Sequence, residues 1–156
     1  MSIEKVRSYF AQKGMEDRVI EFPVSSATVE LAAMAAGCEH ARIAKTLSFS
    51  ANGDAILIVA AGDAKIDNAK YKAFFKTKAK MLTPDEAVTR IGHAVGGVCP
   101  FAVNEGVTVY LDVSLKRFQT VFPACGSSNS AIELSIPELE EHSGYLSWID
   151  VCKSWQ

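Results

Sequence analysis

The amino-acid sequence predicts an α+β fold, a single domain with a mixed, mostly antiparallel sheet and surrounding helices. Two strand-like runs flank Asn52-Gly53, the dipeptide that best tolerates the positive φ angles of a tight hairpin turn. Thr83 and Ser135 each begin a sequence pattern that is typical of a helix N-terminus. In both, a proline and then a glutamate follow the hydroxyl-bearing residue within three positions. Short strands grouped in hairpins, with helices between the groups, favour this class over a regular βαβ repeat.

Helices and strands alternate in the first part of the chain. Glycines end both predicted helices, because the left-handed conformation at a helix end costs glycine little. In order, we predict a helix from a Ser2 cap to Gly14 with Ile3, Val6 and Phe10 on one face, a strand from Arg18 to Phe22 ending at Pro23, a helix from about Ala27 to Ala36 capped by Ser26 or Thr28 and ended by Gly37, and hairpin strands Ala44 to Ser50 and Ala55 to Ala61.

The second part holds two loops between its helices and strands. One loop, Gly92 to Phe101, is rich in glycine, and the other, Cys125 to Ser130, is built of small residues. The remaining predictions are a helix from an Asp67 cap to about Lys76, a strand from Lys78 to Leu82, a short helix from Thr83 to about Arg90, strands Val107 to Asp112, Gln119 to Phe122 and Ala131 to Leu134, a helix from Ser135 to near Gly144, and a last strand from Trp148 to Cys152.

Length and composition predict one globular domain over residues 1–156. With 49% hydrophobic and 22% charged residues, the chain can bury a core without disulfides or metals, which excludes disorder, collagen-like repeats and solenoids. The net charge of -2 argues against a protein that coats nucleic acid non-specifically.

Targeting and ligand signals are absent from the sequence. No signal peptide opens the chain, and the longest apolar stretch, Ala55 to Gly62, is too short to cross a membrane, so we expect a cytoplasmic protein without membrane contact. Four scattered cysteines show no metal-ligand spacing, so we expect free thiols, no metal site and no cofactor. They are Cys38, Cys99, Cys125 and Cys152.

The glycine-rich loop is the first candidate site. Gly96-Gly97 before Cys99-Pro100 can present consecutive amides to an anion or a carbonyl oxygen. The common nucleotide-binding loop patterns are not matched, and a tightly turned loop that binds nothing is the alternative interpretation.

Lys45 is the second candidate, because it interrupts the apolar segment Ile43 to Leu47 at the start of a strand. Its ammonium either emerges on a solvated face or enters a cleft and meets a phosphate or carbonyl oxygen. Thr46 then points to the opposite face of the strand.

Two cysteines could be considered as nucleophiles. Cys99 lies beside the glycine-rich loop, and His40, His93 and His142 are the available bases, but the sequence places none of them next to it. Cys125 lacks the G-x-S-x-G context of a nucleophile elbow, which favours a buried small residue.

Several motifs together resemble one family in their order and spacing, from about Phe22 to Val151. They are Thr28-x-Glu30-x-Ala32-Ala33, Ile43-Ala44-Lys45-Thr46-Leu47, Gly96-Gly97-Val98-Cys99-Pro100-Phe101, Tyr110-Leu111-Asp112, Gly126 to Ser128 and Ile132-Glu133-Leu134. The chain resembles the YbaK and prolyl-tRNA-synthetase-associated (ProX-like) aminoacyl-tRNA editing family. That resemblance implies an α+β fold and a trans-editing hydrolase that removes wrongly attached amino acids from tRNA.

The resemblance also implies roles for single residues. Lys45 would be the essential lysine that engages the phosphate or ribose at the tRNA 3′ end, and the loop from Gly96 to Phe101 would surround the aminoacyl ester. The resemblance also places five further residues on the pocket wall: Thr28, Thr46, Gly126, Ser127 and Ser128. Family mechanisms use no protein nucleophile and no cofactor; a ribose hydroxyl of the substrate helps to place the water. Aminoacyl-tRNA is then the partner, with a synthetase as a further one.

The loop sequence leaves the removed amino acid open. Cysteinyl-tRNA deacylases often have Gly-Gly-Ile-Ser-Pro, where this chain has Cys99, and alanine-specific relatives often have Asn at the position of Thr46. Cys or Ala attached to tRNA(Pro) are the expected substrates. The alternatives are a non-catalytic module that binds tRNA or a nucleotide, and a hydrolase that depends on Cys99.

Charge is unevenly distributed along the chain. Between Lys65 and Lys80, six lysines oppose the single acid Asp67, which gives a local charge of +5 on a background of -7. This segment is either a solvated face or an electrostatic footprint for the tRNA acceptor stem.

Overall fold

Five α-helices and ten strands build residues 2–155, the part of the chain that this computed structural model describes. The helices are α1 (Ser2–Gln12), α2 (Val29–Ala36), α3 (Asn68–Phe75), α4 (Pro84–Glu86) and α5 (Ile136–Ser143). The strands are β1 (Val19–Glu21), β2 (Ile43–Ala51), β3 (Asp54–Ala61), β4 (Lys65–Ile66), β5 (Thr108–Asp112), β6 (Thr120–Pro123), β7 (Ser130–Ile132), β8 (Leu134–Ser135), β9 (Ser147–Ile149) and β10 (Cys152–Lys153).

The main sheet has six strands in the order β8-β6-β2-β3-β5-β9. Its longest pair is the antiparallel β2–β3 hairpin, and Asn52 and Gly53 take φ angles of 52° and 88° in the predicted turn. Within residues 2–155, four of the seven strand pairs are antiparallel and three are parallel. The predicted α+β class with a mixed sheet is confirmed, and within the six-stranded sheet two pairs are antiparallel and three are parallel.

Helices cover the central strands. Every residue from Ala55 to Ala61 in β3 is buried. Helix α3 packs Tyr71 against Phe49, with ring centroids 5.2 Å apart, and α1 packs Phe10 against Phe101 at 5.0 Å. Helix α2 forms a separate small cluster on the sheet with Ala32, Ala33, Ile43 and Phe122. This burial provides most of the folding free energy.

Local signals set most helix ends. Thr28 and Asp67 cap α2 and α3, and both predicted capping boxes form, at Thr83 and Ser135. The helix from Thr83 continues as a π-helical turn, Ala87–Ile91. The predicted cap of α1 by Ser2 is wrong. Ser2 is the first helical residue, and its hydroxyl donates a hydrogen bond to the carbonyl of Gly126.

Three predicted strands differ in the structure. Residues 78–82 form a single bridge, between Met81 and Phe49. The strand predicted from Ala131 to Leu134 divides at Glu133, because β7 pairs with β1 whereas β8 pairs with β6. The last strand divides likewise: β9 pairs with β5, and β10 pairs with β4. In the last two cases the strand ends where its hydrogen-bonding partner changes.

Candidate functional site

A cleft of about 320 Å³ lies at the outer edge of β2. It is bounded by the start of α2, the glycine-rich loop and the chain around β6 and β7. Its lining residues are Ser26, Ala27, Thr28, Val29, Ala32, Ile43, Ala44, Lys45, Thr46, Leu47, Ser48, Met81, Leu82, Val95, Gly96, Val98, Phe122, Ala124, Ser130 and Ala131. Five of these are alanines, so small side chains set the width of the cleft.

The cleft exists because β2 loses its outer neighbour for a few residues. Strand β6 pairs with β2 only at Ile43 and Ala44, and the next outer contacts are the hydrogen bonds of Ser48 and Ser50 with residues 80–82. In an antiparallel ladder the backbone groups of alternate residues point to opposite edges. The N–H and C=O of Thr46 therefore point into the gap, where neither has a partner among residues 2–155.

Lys45 brings a cation to this gap. Its side chain is half-buried, and within the described residues it forms no ion pair. Burial lowers the pKa of the Lys45 ammonium, while the carboxylates of Asp63 and Glu30 act in the opposite direction. An ammonium that is partly stripped of water and not neutralised by a neighbour can bind an anionic or carbonyl oxygen of a ligand.

Thr46 and Ser48 line the cleft two residues apart, on the face of β2 opposite Lys45. The Thr46 hydroxyl is buried without a hydrogen-bond partner among residues 2–155. Ser48 was not predicted from the sequence, although the two-residue period of a strand places it beside Thr46. These polar groups make one wall of an otherwise apolar cleft selective for a ligand with hydrogen-bonding capacity.

The start of α2 forms a second wall, where Thr28 lines the cleft. The Thr28 hydroxyl accepts a hydrogen bond from the Leu31 amide at 3.1 Å, which caps the helix. The amide of Ser26 donates to the carbonyl of Ser128 at 2.6 Å. Ser128 therefore supports this wall through its backbone carbonyl and is not one of the residues that line the cleft.

Gly96 and Gly97 take different places in the glycine-rich loop. Gly96 lines the cleft with a φ of 96°, whereas Gly97 lies behind it. A Cβ on Gly97 would lie 2.6 Å from the backbone of Gly126 and Ser127, so the two loops pack backbone to backbone. The Gly97 amide donates to Ala94 at 3.0 Å. The Gly97 amide is therefore not free to bind a ligand, and of the predicted pair only Gly96 lies on the cleft wall, together with Val98.

Cys99, Pro100 and Phe101 leave the cleft and enter the core. Cys99 is fully buried, and burial raises the pKa of its thiol to about 12. His93 does lie beside it, with Nε2 3.6 Å from the Cys99 Sγ, but that nitrogen donates to the Phe101 carbonyl at 2.7 Å. Burial also lowers the pKa of His93. A thiol in this environment is protonated and inaccessible, which argues against a nucleophile.

Within the small-residue loop, Gly126, Ser127 and Ser128 support the cleft without lining it. Gly126 takes a φ of 95° under the start of α1, and the Ser127 hydroxyl donates to Ser130 at 2.7 Å. Ser130 and Ala131, which follow, do line the cleft. The sequence predicts Gly126, Ser127 and Ser128 on the wall, whereas the structure places Ser130 and Ala131 there.

Metal ligands do not converge anywhere in residues 2–155: no group of three or more His, Cys, Asp or Glu side chains is placed to hold an ion. No helix in the same range is long and apolar enough to cross a membrane.

The chain is similar to a family profile, to a relative in sequence and to solved structures. The sequence profile of the aminoacyl-tRNA editing domain matches residues 24–142. YwhH of Bacillus subtilis (strain 168), an uncharacterized protein, is 59% identical over 157 aligned residues that cover both chains completely. The crystal structure of a proposed trans-editing enzyme for prolyl-tRNA synthetase has a TM-score of 0.87 at 28% identity and covers 97% of each chain. That of a protein named APE2540 has a TM-score of 0.83 at 27% identity, covering 96% of this chain and 99% of its own.

Proposed function

The chain belongs to the aminoacyl-tRNA editing domain family, and on that premise we propose that it hydrolyses the ester bond of mischarged aminoacyl-tRNA in trans. Residues 1–156 would act as one editing domain in the cytoplasm. The observation that carries the proposal is the half-buried Lys45, without an ion pair among the described residues, at an open strand edge in a small cleft that Gly96 also lines.

In this proposal, different residues of the cleft wall have different roles in the reaction. Lys45 would hold a phosphate or ribose oxygen of the terminal adenosine, and the Gly96 amide would stabilise the negative charge that develops on the ester carbonyl oxygen. Water would attack that carbonyl carbon, the bond to the ribose oxygen would break, and the ribose hydroxyl would leave with a proton. No protein nucleophile is needed, because an aminoacyl ester is already activated and positioning supplies much of the acceleration.

The dimensions of the cleft favour a small amino acid. Its volume is at the lower end of the range for ligand sites, roughly 300–1,000 Å³, and alanines form much of its wall. We propose Ala or Cys attached to tRNA(Pro) as the substrate. A second, smaller site is useful there, because a hydrophobic synthetase pocket rejects a smaller amino acid only about 10- to 200-fold per methylene. The solved relative described as an editing enzyme for prolyl-tRNA synthetase makes that synthetase the proposed partner.

The deciding experiment measures release of amino acid from a panel of correctly charged and mischarged tRNAs. We expect turnover of Ala- or Cys-tRNA(Pro), no turnover of Pro-tRNA(Pro), and a loss of at least 100-fold in Lys45→Ala. Lys153→Ala is the matched control, because Lys153 is exposed and lies on β10, outside the cleft.

Two results would contradict the proposal. Folded protein that releases no amino acid from the full panel is not a deacylase, and tight tRNA binding without turnover would favour a non-catalytic binding module. Activity that survives unchanged in Lys45→Ala would remove Lys45 from the mechanism.

A further inference from the structure

Four lysines form an exposed strip from α3 toward the cleft, and we call Lys72, Lys76, Lys78 and Lys80 the lysine strip. All four side chains are exposed, and none forms an ion pair with another described residue. Lys70, in the same stretch of sequence, differs because it pairs with Asp150 at 3.1 Å. The strip therefore keeps its positive charge available, as does Lys65, which lies on β4 before α3.

Arginines elsewhere in the described chain do not offer a comparable surface. Four of them are paired with carboxylates, at distances between 2.6 and 3.1 Å. They are Arg7, Arg18, Arg42 and Arg117. Their charge is balanced locally, whereas the four lysines of the strip lie close together in residues 72–80 and have no such partner.

The strip leads directly to the cleft. Lys80 accepts a hydrogen bond from the Ser50 amide at 2.8 Å through its carbonyl, and the Leu82 amide donates to Ser48 at 3.1 Å. These bonds hold residues 80–82 against the edge of β2, and Met81 and Leu82 line the cleft. Lys80, at the end of the strip, is therefore the direct neighbour in sequence of the lining residue Met81.

We propose that the lysine strip binds the sugar-phosphate backbone of the tRNA acceptor end while the terminal aminoacyl-adenosine occupies the cleft. This inference rests on the proposed function. These lysines have neither bidentate geometry nor a pocket that reads bases. They would therefore hold a nucleic acid in place by charge and carry no sequence information. The strip thus supplies affinity and orientation, and the cleft supplies chemistry.

The test compares two triple variants that change net charge equally. One is Lys72→Glu/Lys78→Glu/Lys80→Glu, and the matched control is Lys13→Glu/Lys116→Glu/Lys153→Glu, whose lysines are exposed and lie outside the strip. A Gln version of the strip variant serves if the Glu version does not fold. For each protein, kcat/KM is measured over a range of salt concentrations on aminoacyl-tRNA and on 3′-aminoacyl-adenosine, which lacks the phosphate backbone.

We expect kcat/KM of the strip variant to fall at least tenfold more on aminoacyl-tRNA than on aminoacyl-adenosine. Its log–log salt dependence on tRNA should become shallower by roughly 2, because each lost phosphate contact removes about 0.7–0.9 from the slope. The control variant should keep the wild-type slope. A strip variant with the wild-type salt slope, or an equal loss in the control variant, would overturn the proposal, and binding of an acidic protein surface by the strip would give the first of these results.

A separate binding measurement tests the lysine strip if the protein turns out not to be a deacylase. If wild-type protein releases no amino acid from any tRNA, the salt dependence of binding is measured by fluorescence anisotropy with labelled, uncharged tRNA(Pro). A shallower slope in the strip variant alone then still supports the strip as an RNA contact, and equal slopes in all three proteins reject it.

Discussion

At the scale of one residue, the role that we propose for Lys45 conflicts with the stability of the fold. Its ammonium is half-buried without an ion pair in the described chain, and burial lowers its pKa. A folded-state pKa below the unfolded one means that the unfolded chain binds more protons, so the charged lysine opposes folding at neutral pH. A group that costs stability at an open cleft is typical of a binding site.

Replacing this lysine should therefore stabilise the protein. We predict that Lys45→Met raises the midpoint of thermal unfolding at pH 7 and abolishes deacylation. The gain should shrink as the pH rises toward 10.5, where the unfolded-state lysine also loses its proton. Thermal unfolding of Lys45→Met and of the exposed control Lys153→Met at pH 7 and pH 10 measures this, and equal effects of the two substitutions would contradict it.

Cys99 gives the second prediction for a single residue. Because its buried thiol has a pKa of about 12, we expect Cys99→Ala to keep kcat within about threefold of wild type. The lost packing should cost stability, on the order of 1 kcal/mol. Alkylation of native protein by iodoacetamide should likewise leave activity intact. Loss of turnover in folded Cys99→Ala would restore the thiol-dependent mechanism.

At the scale of elements, two loops build one cleft wall by close backbone contact. Gly97→Ala would place its Cβ 2.6 Å from the backbone of Gly126 and Ser127. Because backbone cannot yield as a side chain can, the loops must separate and Gly96 must move. We predict a loss of at least tenfold in kcat/KM for deacylation.

Gly106→Ala is the control for this substitution. An added Cβ there meets nothing within 4 Å, and its φ of 88° makes the substitution cost stability only. Unfolding in denaturant should show a cost for both variants, whereas activity should fall only in Gly97→Ala. Equal activity of the two variants would mean that the loop contact does not position the site.

Helix α2 allows a test of what Thr28 does. Its hydroxyl caps the helix, so Thr28→Ala should lower the free energy of unfolding by about 1 kcal/mol, and Thr28→Ser should restore it. If the cap is its whole role, activity of Thr28→Ala under stabilising conditions should match wild type. A large rise in KM for Thr28→Ala, reversed by Thr28→Ser, would instead indicate contact with substrate.

The whole molecule should lose stability toward acid pH. Arg18 lowers the pKa of Glu138 to about 2 by hydrogen bonding, Arg117 lowers that of Asp63, and burial lowers that of His93. Each group binds protons more readily in the unfolded chain, so each contribution to stability is lost as the pH falls. The histidine contribution should begin to decline below about pH 6.5 and the carboxylate contributions below about pH 4.5.

The His93→Gln variant separates the histidine contribution to the pH dependence of stability from the carboxylate contributions. The glutamine amide can still donate to the Phe101 carbonyl but does not titrate, so stability should no longer change between about pH 6.5 and pH 5. Exposed His40→Gln is the control and should keep the wild-type profile. Denaturant unfolding at several pH values measures this, and an unchanged slope in His93→Gln would contradict it.

Local chemistry explains which elements could be predicted. The Asn52-Gly53 turn and the caps at Thr28, Asp67, Thr83 and Ser135 depend on neighbours within four residues, and all of them form. The strand predictions at residues 78–82, 131–134 and 148–152 were incomplete, because a strand extends only as far as its partner, which lies elsewhere in the chain.

The sequence alone determined the family, the fold class and the hairpin that carries Lys45, because these follow from residue types at fixed spacings. Only the tertiary structure decided which residues reach the cleft. It brings Ser48, Met81, Ser130 and Ala131 to the wall, and it turns Cys99 and Phe101 into the core. The physical reason is that the cleft is a gap in strand pairing, and a gap is defined by partners that are far apart in sequence.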